Sequence, residues 1–385
     1  MIRNVRIFPV LNSRDETTIR TEIVATDGTY SATAPSGKSK GRYEAKAQPF
    51  GKIKKLFPLI KKKLVGLDER EFGVVDDALE SLGINRIGGN LAIALSMAAV
   101  RAAGRGEAYA ALGRIKSFPY PLGNVIGGGA HGGGLSLQEI LVIPAKAKDV
   151  STAVETNFAI WRAAGSELKT YGTTGRNDEG AWTSSIDEFR SLEIVRRVAR
   201  RFGAKIGVDV ASGQFYKNGK YRWSSIGRTM GKDEHFDFIR ELIKKFGLIY
   251  VEDPFIENDW ESFSRLTKLT EVLVCGDDLF ATQPERLDIG IHRHAARATI
   301  IKPDQAGTIS KTLRAIHMAK DAGIVPVVSH RSGETCDAFI SDLAVATGTP
   351  LLKCGISGGE RVAKANRLIE LWDNIKKPKM TKLML

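Results

Sequence analysis

From Lys205 onward the chain repeats one pattern: a short, wholly apolar run that stops on a polar residue, then an amphipathic stretch. KIGVDVASG stops on Asp209, LIYVEDPF on Glu252 and VLVCGDDL on Asp277. RATIIKPDQAG follows with Lys302, GIVPVVSHRSGET with Ser329 and His330, and PLLKCG with Lys353. Apolar runs without alternation fit strands covered on both faces. Segments between them, such as HFDFIRELIKKFG and WESFSRLTKL, carry helical spacing, so the region reads as successive βα units. A closed βα barrel gathers its strand ends on one face, where such proteins keep their chemistry. One acid after a strand is commonly a helix N-cap. Three acids followed by two lysines at equivalent places describe a polar site instead. Asp209, Glu252 and Asp277 are expected to hold one hard divalent cation, Mg²⁺, through oxygen.

The remaining bulk properties narrow the setting. At 385 residues the chain has room for a barrel and a second domain. Its three cysteines form no zinc or disulfide pattern, and MIRNVRIFPV has no apolar core like that of a signal peptide, so a cytoplasmic protein with reduced thiols is expected. LAIALSMAAV is too short to span a bilayer, so no membrane partner is expected. The net charge of +13 concentrates in KIKKLFPLIKKK, RRVARR and KKPKMTK. Leu56, Ile60 and Leu64 mark a buried side to the first of these, which reads as a solvated helix face. No RNP, KH or zinc-finger pattern accompanies the charge, so nucleic acid is not expected as a partner, and the positive field suits a small anionic substrate. Residues 2–8 and 17–25 alternate like antiparallel strands. Helices are expected over 52–64 and 74–82, and a third over INRIGGNLAIALSMAAVRAAG.

The strings VEDPF, GDDL, IKPDQAGT and VVSHRSGET resemble those of the enolase family, and with the motifs below the resemblance runs from Asn12 to Asn366. It implies a small α+β capping domain over 1–118, followed by an enolase-type (β/α)8 barrel over 119–385. LNSRDETT is similar to the family's NSRGNPT, where Arg14 would be scaffold. APSGKSKGRYEA, within 34–45, resembles the family's mobile loop, in which Ser39 would bind a second Mg²⁺ on closure; Lys38 and Lys40 depart from that loop by adding two cations. NVIGGGAHGGGLSLQEILVIP resembles NVINGGSHAGN…QEF, with Gly127 in place of an asparagine and a shortened spacer. It places His131 and Glu139 toward the substrate. TTGRNDEGAW is similar to VGDEGGFAP and makes Glu179 the general acid, with Asn177, Ala181 and Trp182 as departures. SGGERVAKANRLIELWD resembles the family's C-terminal motif, for which no chemistry is expected.

The resemblance implies a Mg²⁺-dependent lyase that dehydrates 2-phosphoglycerate to phosphoenolpyruvate in glycolysis and gluconeogenesis. The alternative is a paralogue acting on another phospho- or phosphono-hydroxyacid. Lys302 would be the base, its pKa lowered by the metal and by Lys353. Lys353 would pair with the substrate carboxylate, Glu139 would assist Glu179, and Arg331 and Ser332 would bind the phosphate. One Mg²⁺ would be resident and a second would arrive with substrate. The family implies a homodimer or a larger homo-oligomer.

Overall fold

Alternation at the start of the chain becomes a three-stranded antiparallel sheet, β1 (Asn4–Leu11), β2 (Thr17–Val24) and β3 (Thr29–Thr33), in that order. The computed structural model describes residues 1–38, 41–113, 115, 117–172 and 175–383. Ser39 and Lys40 lie outside them. One face of the sheet buries Val5, Ile19, Ile23 and Ala32 against helices. Helix α1 (Phe50–Leu64) turns Ile53, Ile60 and Leu64 inward and leaves its lysines largely outside. Helix α2 (Phe72–Ser81) follows.

The third expected helix is divided. A single turn at Ile84–Ile87 ends on Gly88, whose φ of 102° no helix accepts, and α3 (Gly89–Ala103) starts afresh. The break lets α3 slide between the small sheet and the barrel, and it is buried on nearly every side, Met97 included. Its alanines permit the close approach. Ser96 Oγ accepts the Ile309 N–H of the barrel at 2.8 Å.

Eight strands close the barrel: β4 (Tyr120–Gly127), β5 (Glu139–Ile143), β6 (Lys205–Asp209), β7 (Tyr250–Glu252), β8 (Leu273–Gly276), β9 (Ala298–Ile301), β10 (Val325–Ser329) and β11 (Leu351–Gly355). Strand β11 pairs back onto β4. The βα rhythm holds from β6 onward, where all pairings are parallel. It fails once: β5 is antiparallel to both β4 and β6. This reversal decides the site, because the first residue of β5, Glu139, lies level with the last residue of β6, Asp209. Asp209 in turn pairs with Glu252. Below this polar layer the barrel interior is filled by Leu122, Leu141, Tyr250, Ile300, Val327 and Leu351, among others. Each such side chain contributes roughly 1.5–3 kcal/mol through burial. Cys275 and Cys354 are buried and Cys336 exposed, all as free thiols. Among the described residues no helix is long and apolar enough to cross a membrane.

Candidate active site

Strand ends, the reversed strand and three loops meet over one cleft of about 520 Å³, part of it open to solvent. The cleft is lined by His131, Glu139, Glu179, Asp209, Asp277, Lys302, His330, Arg331, Ser332 and Lys353, and by Lys38 from the small domain. Of the site residues expected from the sequence, Glu252 lies just beneath this surface, fully buried. Ser39 falls outside the described residues.

Two lysines organise the carboxylates. Lys353 Nζ donates to Glu252 Oε1 at 2.7 Å and to Asp209 Oδ2 at 2.9 Å, and lies 3.4 Å from Glu139 Oε1. Lys302 Nζ forms an ion pair with Asp277 Oδ2. Burial alone would lower both ammonium pKa values, but the surrounding carboxylates win: Asp277 raises Lys302, and Asp209, Glu139 and Glu252 raise Lys353. Lys353 does work to lower Lys302, as expected of it, and Asp277 works against it. Asp277 is too close, and its charge outweighs both burial and the repulsion from Arg331 and Lys353.

The acid set still fits a hard cation. Burial and the charge of Asp209 push Glu252 up to about 8. Glu139 Oε2 is buried and accepts no hydrogen bond among the described residues. Among the described residues, the carboxylates that bring oxygens within 4.8 Å of one another are Asp253, Asp277 and Asp278; of the expected ligands this cluster holds Asp277, while Asp209 and Glu252 are drawn to Lys353. Crowded carboxylates with an unsatisfied oxygen and an all-oxygen donor set are what Mg²⁺ relieves. Asp209, Glu252 and Asp277 end three adjacent strands, or follow their ends by one residue, and would hold the ion there.

The same cleft carries a second group of acids, beside Lys353. Glu139, Glu179 and His131 bring ligand atoms within 4.8 Å of one another. His131 Nε2 lies 3.4 Å from Glu179 Oε1, and His131 Nδ1 lies 2.9 Å from Asp178 Oδ1. The shortened spacer before Glu139 thus leaves His131 over the site. Burial works to raise the Glu179 carboxyl, yet the charge of His131, with that of Arg361, holds it below the usual range. Burial pushes Glu139 well above that range, despite Lys353. The pair is divided, with the proton favoured on Glu139 and the charge on Glu179.

The departures in this loop compensate for one another. A Cβ on Gly127 would sit 2.1 Å from Asn177 Nδ2. Asn177 fills the space left there, and its Oδ1 accepts the N–H groups of Glu179 and Ala181, each at 3.0 Å. Gly180, at φ 77°, passes so close to the chain that a Cβ would meet Ser357 O at 1.8 Å.

Arg361, Tyr250 and Gln138 join the expected residues without having been marked for chemistry in the sequence. Arg361, fully buried, donates to His330 Nδ1 at 2.7 Å, to Ser332 O at 2.6 Å and to Asp178 O at 3.2 Å. It joins the turn after β10 to the acid loop, so the C-terminal motif is structural to the site. With Nδ1 accepting, His330 turns its Nε2–H toward Glu179 Oε1, 3.8 Å away. Tyr250 OH donates to Glu252 Oε2 at 2.6 Å, and Gln138 Nε2 to Asp209 Oδ2 at 3.0 Å. Arg331 is held by Asp304 at 2.8 Å and by Glu44 at 3.0 Å. Ser332 Oγ accepts the Lys38 N–H at 2.8 Å.

Comparison with known proteins agrees with this geometry. Residues 2–110 match the family model "Enolase, N-terminal domain", and residues 115–380 match "Enolase, C-terminal TIM barrel domain". The enolase of Methanosphaera stadtmanae is 38% identical over 412 residues, covering 100% of this chain and 99% of that protein. The enolase of Archaeoglobus fulgidus is 39% identical over 397 residues, covering 99% of each chain. The enolase of Pyrobaculum aerophilum is 37% identical over 412 residues, covering 98% of this chain and 97% of its own. With both domains matched and its relatives aligned end to end, the chain belongs to the enolase family.

Proposed function

We propose that the protein is a phosphopyruvate hydratase that converts 2-phosphoglycerate to phosphoenolpyruvate and water in cytoplasmic glycolysis and gluconeogenesis. The observation that carries this reading is the convergence of Lys302 and Lys353, set among carboxylates, with Glu139 and Glu179 on one cleft. Removing a proton α to a carboxylate builds charge on a group that is already anionic, so cations must surround it.

In this mechanism Lys302 takes the α-proton, and the electron pair of that C–H bond forms the new double bond. The β carbon–oxygen bond breaks, and the departing hydroxide takes a proton from the Glu139–Glu179 pair to leave as water. Lys353 steadies the substrate carboxylate. Asp209, Glu252 and Asp277 would hold Mg²⁺, and Ser39 a second ion. When bound, Mg²⁺ supplies Lewis-acid stabilisation of the carboxylate charge. Asp277 serves both this set and Lys302, so Lys302 sheds its proton only when that carboxylate is otherwise engaged. His131 orders the acid side, and Arg331 and Ser332 bound the phosphate end. The family relationship favours a homodimer or a larger homo-oligomer.

A second reading, a paralogue acting on a different phospho- or phosphono-hydroxyacid, is favoured by the lysine that the small domain places in the cleft. One experiment separates them: mix protein, 2-phosphoglycerate and Mg²⁺, and follow the ultraviolet absorbance of the conjugated product. Turnover that disappears in Lys302→Ala supports the hydratase; no turnover by the unaltered protein refutes it.

A further inference from the structure

The cations lining the cleft are not equally free. Lys302 is bound to Asp277, Lys353 to Asp209 and Glu252, and His131 to Asp178. Arg331 faces two carboxylates, Asp304 at 2.8 Å and Glu44 at 3.0 Å, with its side chain 4% exposed. A doubly charged phosphoryl group arriving beside Arg331 therefore meets a guanidinium whose charge is already more than matched. Lys38 differs. Among the described residues its ammonium comes no nearer to an acid than 3.7 Å, from Asp178 Oδ2, and its side chain is 39% exposed. Its backbone is fixed nonetheless: the Lys38 N–H donates to Ser332 Oγ, and two residues earlier Ser36 bridges Gly333 through paired backbone bonds of 2.8 Å. A pinned backbone with a long, loosely held ammonium, next to the Arg331–Ser332 turn, is the geometry of a residue that swings onto an anion.

We propose that Lys38 is a specificity-determining residue, the cation that leaves Asp178 to join Arg331 and Ser332 at the phosphoryl group of the substrate. This rests on the reading of the site as one for a phospho-acid. It selects for substrates bearing a dianionic group on the small-domain side of the cleft, over acids that carry a hydroxyl there.

The test compares Lys38→Met, which keeps the length of the side chain, with Lys38→Arg, which restores its charge. Steady-state kinetics with 2-phosphoglycerate and Mg²⁺ are run beside competition by inorganic phosphate. A charge-assisted hydrogen bond to phosphate predicts that Lys38→Met raises KM and the phosphate inhibition constant by about tenfold or more. The change in kcat stays within about threefold, and Lys38→Arg recovers most of the loss. Raising the ionic strength should narrow the difference, because the ammonium is partly exposed. Constants within about twofold of the unaltered protein would overturn the proposal, as would a Lys38→Arg variant no better than Lys38→Met. If the unaltered protein does not turn over 2-phosphoglycerate, the hydratase reading fails on its own. Calorimetric titration of inorganic phosphate into the unaltered and Lys38→Met proteins then still decides the role of Lys38: weaker binding by the variant upholds it, and equal binding refutes it.

Discussion

Asp76 offers a quantitative check on how the small domain grips the barrel. It lies on α2, fully buried, and its Oδ2 accepts both the N–H of Ser310 at 2.8 Å and the Ser310 hydroxyl at 2.7 Å. Burial is the main reason its pKa rises from 3.8 to about 6, against the lowering effects of Ser96 and Ser310. A rise of about two units corresponds to about 3 kcal/mol between the two protonation states. Because the folded-state value lies above the unfolded one, the protonated carboxyl stabilises the fold fully below pH 3.8, and that benefit is lost as the pH climbs through about 6. Asp76→Asn keeps an acceptor for Ser310 and removes the titration. Urea unfolding of both proteins from about pH 4 to about pH 7 should therefore show the free-energy difference moving by about 3 kcal/mol in favour of the variant, then levelling. A pH-independent difference would show that Asp76 does not titrate in this range. A shift toward the unaltered protein would show that the helix end at Ser310 stabilises the carboxylate more than burial penalises it.

Lys302→Ala should lower kcat by about 10²–10⁴-fold while leaving the circular dichroism spectrum unchanged, and a smaller loss would remove Lys302 from the role of base. Glu179→Gln should cost a similar factor, measured in the same absorbance assay. Gly180→Ala must either abandon its positive φ or displace Ser357, so it should cost about 1–3 kcal/mol in unfolding experiments and also reduce kcat. Gly127→Ala and Asn177→Ala should each impair activity, but their combination should be milder than the product of the two, because the first introduces a clash that the second removes. Independent, multiplicative effects would refute that coupling.

Much of the barrel was legible because its strands are short apolar runs that stop on charge. The positions of Asp209, Glu252, Asp277, Lys302 and Lys353 could be read from those stops; four of them line one cleft, and Glu252 is buried beneath it. Strand direction could not be read this way. EILVI has the same pattern whether it runs up or down the barrel, so the reversal of β5 appears only in its pairing with its neighbours. The break at Gly88 was hidden by a continuous apolar periodicity on either side of it. Arg361 looks like one more basic residue on an amphipathic helix, and its importance comes from backbone carbonyls some thirty and more residues away in sequence. Protonation was the least legible property of all. The raised pKa of Lys302 and the split between Glu139 and Glu179 depend on contacts within a few ångströms that no spacing encodes.

The reversal of β5 also bears on how this protein can vary. In an ordinary βα unit, a loop at the catalytic rim leads into a helix, and a change in its length is passed to the outer layer. Here the segment after Gly127 leaves the rim and returns to it at Glu139, residues that pair directly with each other. Its two ends are stitched together beneath it, so residues can be gained or lost between them without shifting the stagger of the barrel. The freedom is local: Leu135 and Leu137 are buried in the core and the Ser136 N–H bonds Glu188, so a change confined to the glycines around His131 resets how that side chain sits at the cleft while the scaffold stays still.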